Sequence, residues 1–240
     1  MYKQMRFHGA RMTVNGGEVV RVSSDSEGFE VLAALGTFSE KDRVLVAGGG
    51  SGWLAAWIAA TSAYVLVLEP LEHWADAIAD NVAVEGTPID VLCGALGLEN
   101  GEATLHVAND WQESHVGAAR ESDRGTVRVP VYAVDELVDD HNINALSLDV
   151  EGAEYELLLG MDLAPIKKLQ LEIHAYRIGD SAVQSIQQRL GAAGFIETYS
   201  HARFTTLTRW DKTPTDEVRC IDKAYVHRSI LEDHRNVSRQ

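Results

Sequence analysis

Two kinds of apolar pattern alternate along this chain. Short unbroken runs, Val44–Ala47 (VLVA) and Tyr64–Leu68 (YVLVL), are what strands covered on both faces require. Between them Gly48–Gly52 predicts a turn, and Trp53 to about Ala60 a helix. Arg43–Pro70 therefore predicts a strand–turn–helix–strand unit closed by Glu69. Helical spacing follows in Leu71, Trp74, Ala75, Ile78 and Val82, predicting a helix over Leu71–Val84 that Gly86 ends. Upstream, Asn15-Gly16-Gly17 predicts a hairpin over Met12–Ser23. Ser26 and Phe29–Leu35 predict a capped helix ending at Gly36. Ile89–Cys93, Ala103–Val107 (after the turn Asn100-Gly101) and Val127–Tyr132 predict further strands, and Ala133–Val138 a helix.

Ala145–Val150 (ALSLDV) and Leu169–His174 (LQLEIH) read as strands flanking a helix over about Ala153–Gly160, but they alternate. Leu146, Leu148 and Val150 point one way, and Ser147, Asp149 and Glu151 the other. Leu169, Leu171 and Ile173 likewise oppose Gln170, Glu172 and His174. If the strands are neighbours, Asp149, Glu151, Glu172 and His174 meet at their carboxyl ends, where open α/β sheets bind ligands. Buried carboxylates must be paired, hydrogen-bonded or metal-bound, so these four are the candidate catalytic residues. Glu151 has a competing reading as a first-turn helix residue, and His174 as a hydrogen-bonded core histidine. Glu154 and Glu156 read as solvated helix residues. The remaining histidines, with no spacing such as H-E-x-x-H, read as surface or packing.

Composition narrows the function. A chain of 240 residues, 45% hydrophobic, buries one sizeable core. Its 36 acidic against 21 basic residues give a net charge of −15, which argues against nucleic-acid or anionic-membrane partners. The acidic, lysine-poor balance suggests solubility in high salt, which stability measured in molar salt would test. The uncharged run Val44–Leu68 is long enough for a bilayer, which needs about 20 residues, but its glycines break a lone helix. Two cysteines, Cys93 and Cys220, imply no disulfide framework. The amino-terminal stretch lacks the apolar core of a signal peptide. A cytoplasmic protein is the expectation.

The glycine turn discriminates among ligands. The dinucleotide fingerprint G-x-G-x-x-G/A would put its last small residue at Trp53, and no Lys-Ser/Thr pair makes a P-loop. What remains is G-x-G-x-G, formed by Gly48, Gly50 and Gly52 and typical of S-adenosylmethionine binders. Glu69 is placed to accept ribose hydroxyls. A turn whose glycines merely pack is the competing reading.

The segment Ser147–Gly160, SLDVEGAEYELLLG, resembles the D-V-E-G-A-E signature of the FkbM family of S-adenosylmethionine-dependent methyltransferases. Val67–Pro70 (VLEP), Asn81, Gly94-Ala95-Leu96, Val134–Leu137 and Leu171–His174 (LEIH) resemble its other elements in order. The resemblance covers about Arg43–Tyr176. It implies a Rossmann-like α/β fold: a seven-stranded, mostly parallel methyltransferase sheet with one reversed strand, and helices on both faces. Residues 1–42 would then be an N-terminal hairpin and helix packed on a methyltransferase domain at 43–240. After a helix over Ser181–Leu190, Arg203–Thr208 and Lys223–His227 would supply the last strands.

The resemblance also implies S-adenosylmethionine as cofactor, with Glu69 on its ribose and Gly94 and Ala95 near its adenine. It implies a hydroxyl acceptor on a sugar, glycan or other small metabolite. The chemistry of the residues themselves, apart from the resemblance, makes His174 or Asp149 the candidate general base, or else Asp149, Glu172 and His174 candidate ligands of a divalent metal ion that acidifies the hydroxyl. One position departs from the family: Val46 stands where an acidic residue usually helps hold the methionine end. A catalytically inactive cofactor-binding subunit is therefore an alternative. A sugar-nucleotide epimerase is another, opposed by Trp53 and by the lack of a Tyr-x-x-x-Lys pair.

Overall fold

The computed structural model describes residues 5–7, 12–13, 19–20, 36–84, 88–108, 113–121, 123–206 and 216–230. The strands are β1 (Met5–Phe7), β2 (Met12–Thr13), β3 (Val19–Val20), β4 (Arg43–Ala47), β5 (Tyr64–Glu69), β6 (Val82–Val84), β7 (Ile89–Cys93), β8 (Ala95–Gly97), β9 (Gly101–Ala108), β10 (His115–Val116), β11 (Asp123–Ala133), β12 (Ala145–Leu148), β13 (Lys168–Ile173), β14 (Phe195–Thr206) and β15 (Asp216–His227). The helices are α1 (Trp53–Thr61), α2 (Glu72–Asn81), α3 (Val134–Asp140), α4 (Glu154–Gly160), α5 (Ala175–Ile178) and α6 (Asp180–Ala192).

Seven strands form one sheet in the order β14-β15-β13-β12-β4-β5-β7. Only β15 is reversed, antiparallel to both β13 and β14, as expected. Chain order turns back between β4 and β12, which pair in parallel although β5 also flanks β4. Such a switch point opens a crevice at the carboxyl ends of the strands. Alternation in β4, β5 and β12 divides the core. Leu45, Leu66, Leu68, Leu146 and Leu148 pack with α3, α4 and α6, whereas Val44, Val46, Val65, Val67 and Ala145 pack with α1 and Ile78 of α2.

A second, four-stranded sheet, β10-β9-β11-β8, holds the strands predicted around Ala103–Val107 and Val127–Tyr132. Leu105 and Val129 join it to Leu71, Trp74 and Ala77. The helix predicted over Leu71–Val84 stops at Asn81. Val82–Val84 pairs instead with Met5–Phe7, a tertiary partner overriding helical spacing. Met12–Thr13 pairs with Val19–Val20 as the hairpin requires. The Asn15–Gly17 turn, the Ser26-capped helix over Phe29–Leu35, and Gly86 lie outside the described residues.

Candidate active site

The glycine turn folds back over the end of β5: Gly48 N and Gly49 N both donate to Leu68 O, at 3.1 and 3.0 Å. Gly48, at φ +87°, lies so close to the end of β12 that a Cβ there would sit 1.9 Å from Asp149 O. No side chain fits, so Gly48 is fixed by both conformation and contact. Asp149 N in turn donates to Ala47 O at 2.9 Å. The turn and the first acidic candidate are thus backbone neighbours.

Glu69, at the end of β5, is buried. Its Oε2 accepts Gly50 N at 2.8 Å and its Oε1 accepts Leu71 N at 2.9 Å. Burial pushes its pKa up to about 7 although both backbone hydrogen bonds favour the charge. Each oxygen keeps a lone pair for a further donor. Gly94 N donates to Glu69 O at 3.0 Å, so Gly50, Glu69 and Gly94 follow one another across the ends of β4, β5 and β7. Gly52 packs against Val82 and Ile78, and Ala95 opens β8.

The alternating strands are neighbours, paired Ala145↔Lys168 to Leu148↔Leu171, and their ends bring the four candidates together around His174. Its Nε2 lies 3.7 Å from Asp149 Oδ1, 3.3 Å from Glu151 Oε2 and 3.7 Å from Glu172 Oε1. β12 stops at Leu148, so Glu151 does not arrive by alternation. It turns inward through a left-handed backbone, φ +56°, a strained conformation for a bulky residue. The helix-capping reading of Glu151 fails: α4 is preceded by Ala153 with no side-chain cap. His174 lies beyond the end of β13 as the residue before α5.

Glu154, read from sequence as solvated, is 0% exposed. Its Oε1 accepts His174 Nδ1 at 2.7 Å and Gly152 N at 3.1 Å. Helical spacing could have placed it, because Glu154, Leu157 and Leu158 stand at i, i+3 and i+4 on the buried face of α4. Arg177 carried no sequence signal. Its Nη2 meets Glu151 Oε2 at 2.5 Å and its Nη1 donates to Glu151 O at 2.8 Å. Arg120, between β10 and β11, lies within electrostatic reach of Arg177, Tyr176 and Glu151, so the second sheet borders the cluster.

Four carboxylates thus surround one imidazole and one guanidinium. Asp149 shows the strain. Its Oδ1 is sealed from solvent with no hydrogen-bond partner, while the side chain as a whole remains 33% exposed. Burial, then the Glu172 carboxylate, drive its pKa well above the usual range, His174 opposing them. Val46 sits in the apolar core with Val44 and Val67, so no charge occupies that position.

No curated protein matches the chain. Among solved structures it resembles TrmK from M. capricolum in complex with S-adenosyl-homocysteine, at 10% identity and TM-score 0.49, covering 82% of this chain and 67% of that one. It also resembles ribosomal protein L11 methylase from Lactobacillus delbrueckii subsp. bulgaricus, at 13% identity and TM-score 0.45, covering 86% and 80%. A third is precorrin-6y C5,15-methyltransferase from Geobacter metallireducens, at 11% identity and TM-score 0.44, covering 82% and 85%. The model of the methyltransferase FkbM domain matches residues 49–222. With the sheet order and the glycine turn, that match makes the chain a member of the FkbM methyltransferase family.

Proposed function

We propose that this chain transfers a methyl group from S-adenosylmethionine to a hydroxyl oxygen on a sugar, glycan or other small metabolite. One observation carries the reading: the glycine turn and the His174 cluster meet at Asp149, backbone against backbone. The cofactor side and the proton-accepting side of a methyl transfer need that adjacency.

The residues fit the cofactor. The turn Gly48–Gly52 would face its methionine end, Glu69 its ribose, and Gly94 and Ala95 its adenine. Glu69 favours this placement because its carboxylate is short of donors: two backbone N–H groups leave its pKa near 7, and two ribose hydroxyls would supply the rest. Bound S-adenosylmethionine supplies an electrophilic methyl on a sulfonium, whose sulfur keeps the electron pair of the broken carbon–sulfur bond.

The chain's own task is alignment and proton removal. Asp149 is the most exposed of the four carboxylates around His174, so it is the group that an acceptor reaches first. The hydroxyl proton passes into the cluster as its oxygen bonds to the methyl carbon. A net charge of −15 opposes a nucleic-acid acceptor. Val46 in the apolar core favours a second reading, cofactor binding without turnover. Calorimetry with S-adenosylmethionine, followed by release of S-adenosylhomocysteine over a panel of hydroxylated acceptors, decides. Binding with turnover supports the proposal, binding without turnover the second reading, and no binding ends both.

A further inference from the structure

We infer that Asp149, Glu172 and His174 bind one divalent cation of the magnesium or manganese type. One donor atom from each lies within 4.8 Å of the others. Oxygen and nitrogen donors about 2.0–2.4 Å from a shared ion stand that close to one another. The 3.7 Å separations from His174 Nε2 to Asp149 Oδ1 and Glu172 Oε1 are too long for hydrogen bonds.

His174 is oriented as a ligand. Its Nδ1 donates to the fully buried Glu154 carboxylate at 2.7 Å, which fixes the proton on that nitrogen and turns the Nε2 lone pair into the cluster. A carboxylate behind an imidazole is the usual outer-shell support of a metal-binding histidine. Asp149 Oδ1, sealed and without a hydrogen-bond partner, points at the same space. Four carboxylates against one guanidinium leave an excess of negative charge, and a doubly charged ion offsets it. Two carboxylates and one imidazole suit manganese or magnesium better than a thiolate-seeking metal.

The site's use rests on the methyl-transfer reading. Three protein ligands leave open positions, and an acceptor hydroxyl bound at one is acidified. Its proton then passes to a carboxylate of the cluster, and His174 serves as a ligand rather than a base. The ion itself neither gains nor loses electrons.

The test uses the full chain stripped with chelator, titrated with Mn2+ and followed by the paramagnetic resonance of the free ion at high ionic strength. The expected result is one bound Mn2+ per chain, displaced by Mg2+. Asp149→Asn and His174→Ala should each weaken it at least about tenfold, and Glu154→Gln about 10–100-fold through His174. Glu156→Gln, exposed on the same helix, should change nothing. In the unaltered chain, Mn2+ should broaden the His174 ring resonances, a readout independent of variant folding. Absence of binding, binding indifferent to the three variants, or unbroadened His174 signals would each overturn the site. Calorimetry with S-adenosylmethionine on the same sample keeps the proposals apart. Cofactor without metal overturns the ion alone, and metal without cofactor leaves the ion standing while removing the methyl transfer.

Discussion

At the N-terminal end of β13, the Lys168 ammonium meets Asp42 Oδ2 at 2.7 Å, and Asp42 also accepts Ser39 N and Oγ at 2.6 and 2.7 Å. One positive charge faces one negative, and both are hydrogen-bonded. Midway along the same face, the Ser147 hydroxyl donates to Gln170 Oε1. At the C-terminal end, four carboxylates crowd one imidazole and one guanidinium, and Asp149 Oδ1 has no hydrogen bond. One polar column thus runs from balanced to unbalanced along two strands. A buried ion pair that closes on itself can be purely structural. An unbalanced one costs stability, and such perturbed groups concentrate where chemistry is done.

The largest expected effect separates the two ends by sign. Asp149→Asn removes a carboxyl whose ionised form is opposed by burial and by Glu172, so at alkaline pH, where that form is populated, the melting temperature should rise while turnover falls. His174→Ala should lower kcat by about 10²- to 10⁴-fold and leave cofactor affinity nearly unchanged. Melting curves and single-turnover rates check both. An Asp149→Asn variant that melts lower than the parent at that pH would remove the claim that this end carries excess charge.

Lys168→Met probes the balanced end. It leaves Asp42 buried and unpaired, which should cost about 3–5 kcal/mol of stability. Cofactor affinity of the protein that remains folded should not move, because Lys168 lies at the opposite end of β13 from the glycine turn. Denaturant unfolding together with calorimetry measures the pair. A matched loss of affinity would show that the two ends are coupled.

Much of this column could be read in the sequence, because period-two alternation is a local property. Ser147, Asp149, Gln170, Glu172 and His174 followed from it, as did the unit from Arg43 to Glu69 from its unbroken apolar runs. What escaped depended on non-local partners or on backbone that leaves the regular periods. Glu151 reaches the site through a left-handed turn. Arg177 comes from a four-residue helix too short to show a pattern. Val82–Val84 looked helical until β1 paired with it. The second sheet hid because short strands carry no mark of which sheet they join, and β8 pairs in parallel with β11, a partner far along the chain. Glu154 was legible in principle, but its charge outweighed its position on the buried face of α4.

Glu69 gives the smallest effect and the finest test, because it is a third buried charge, at the same end of the sheet as Asp149. Its folded pKa of about 7 lies above the ordinary 4.5, so the folded protein holds a proton that the unfolded chain releases. Stability from this group is full below pH 4.5 and is lost as pH rises through 7. The stability difference between the parent and Glu69→Gln should therefore shift against the parent by about 3 kcal/mol from pH 4.5 to above 7. Cofactor binding should run the opposite way. Ribose hydroxyls donate best to the ionised carboxylate, so affinity should tighten as pH rises through 7, and Glu69→Gln should flatten that profile. Opposite slopes in unfolding and calorimetry would mark Glu69 as a charge left uncompensated for its ligand. Parallel slopes would class it with the self-contained pair at Lys168.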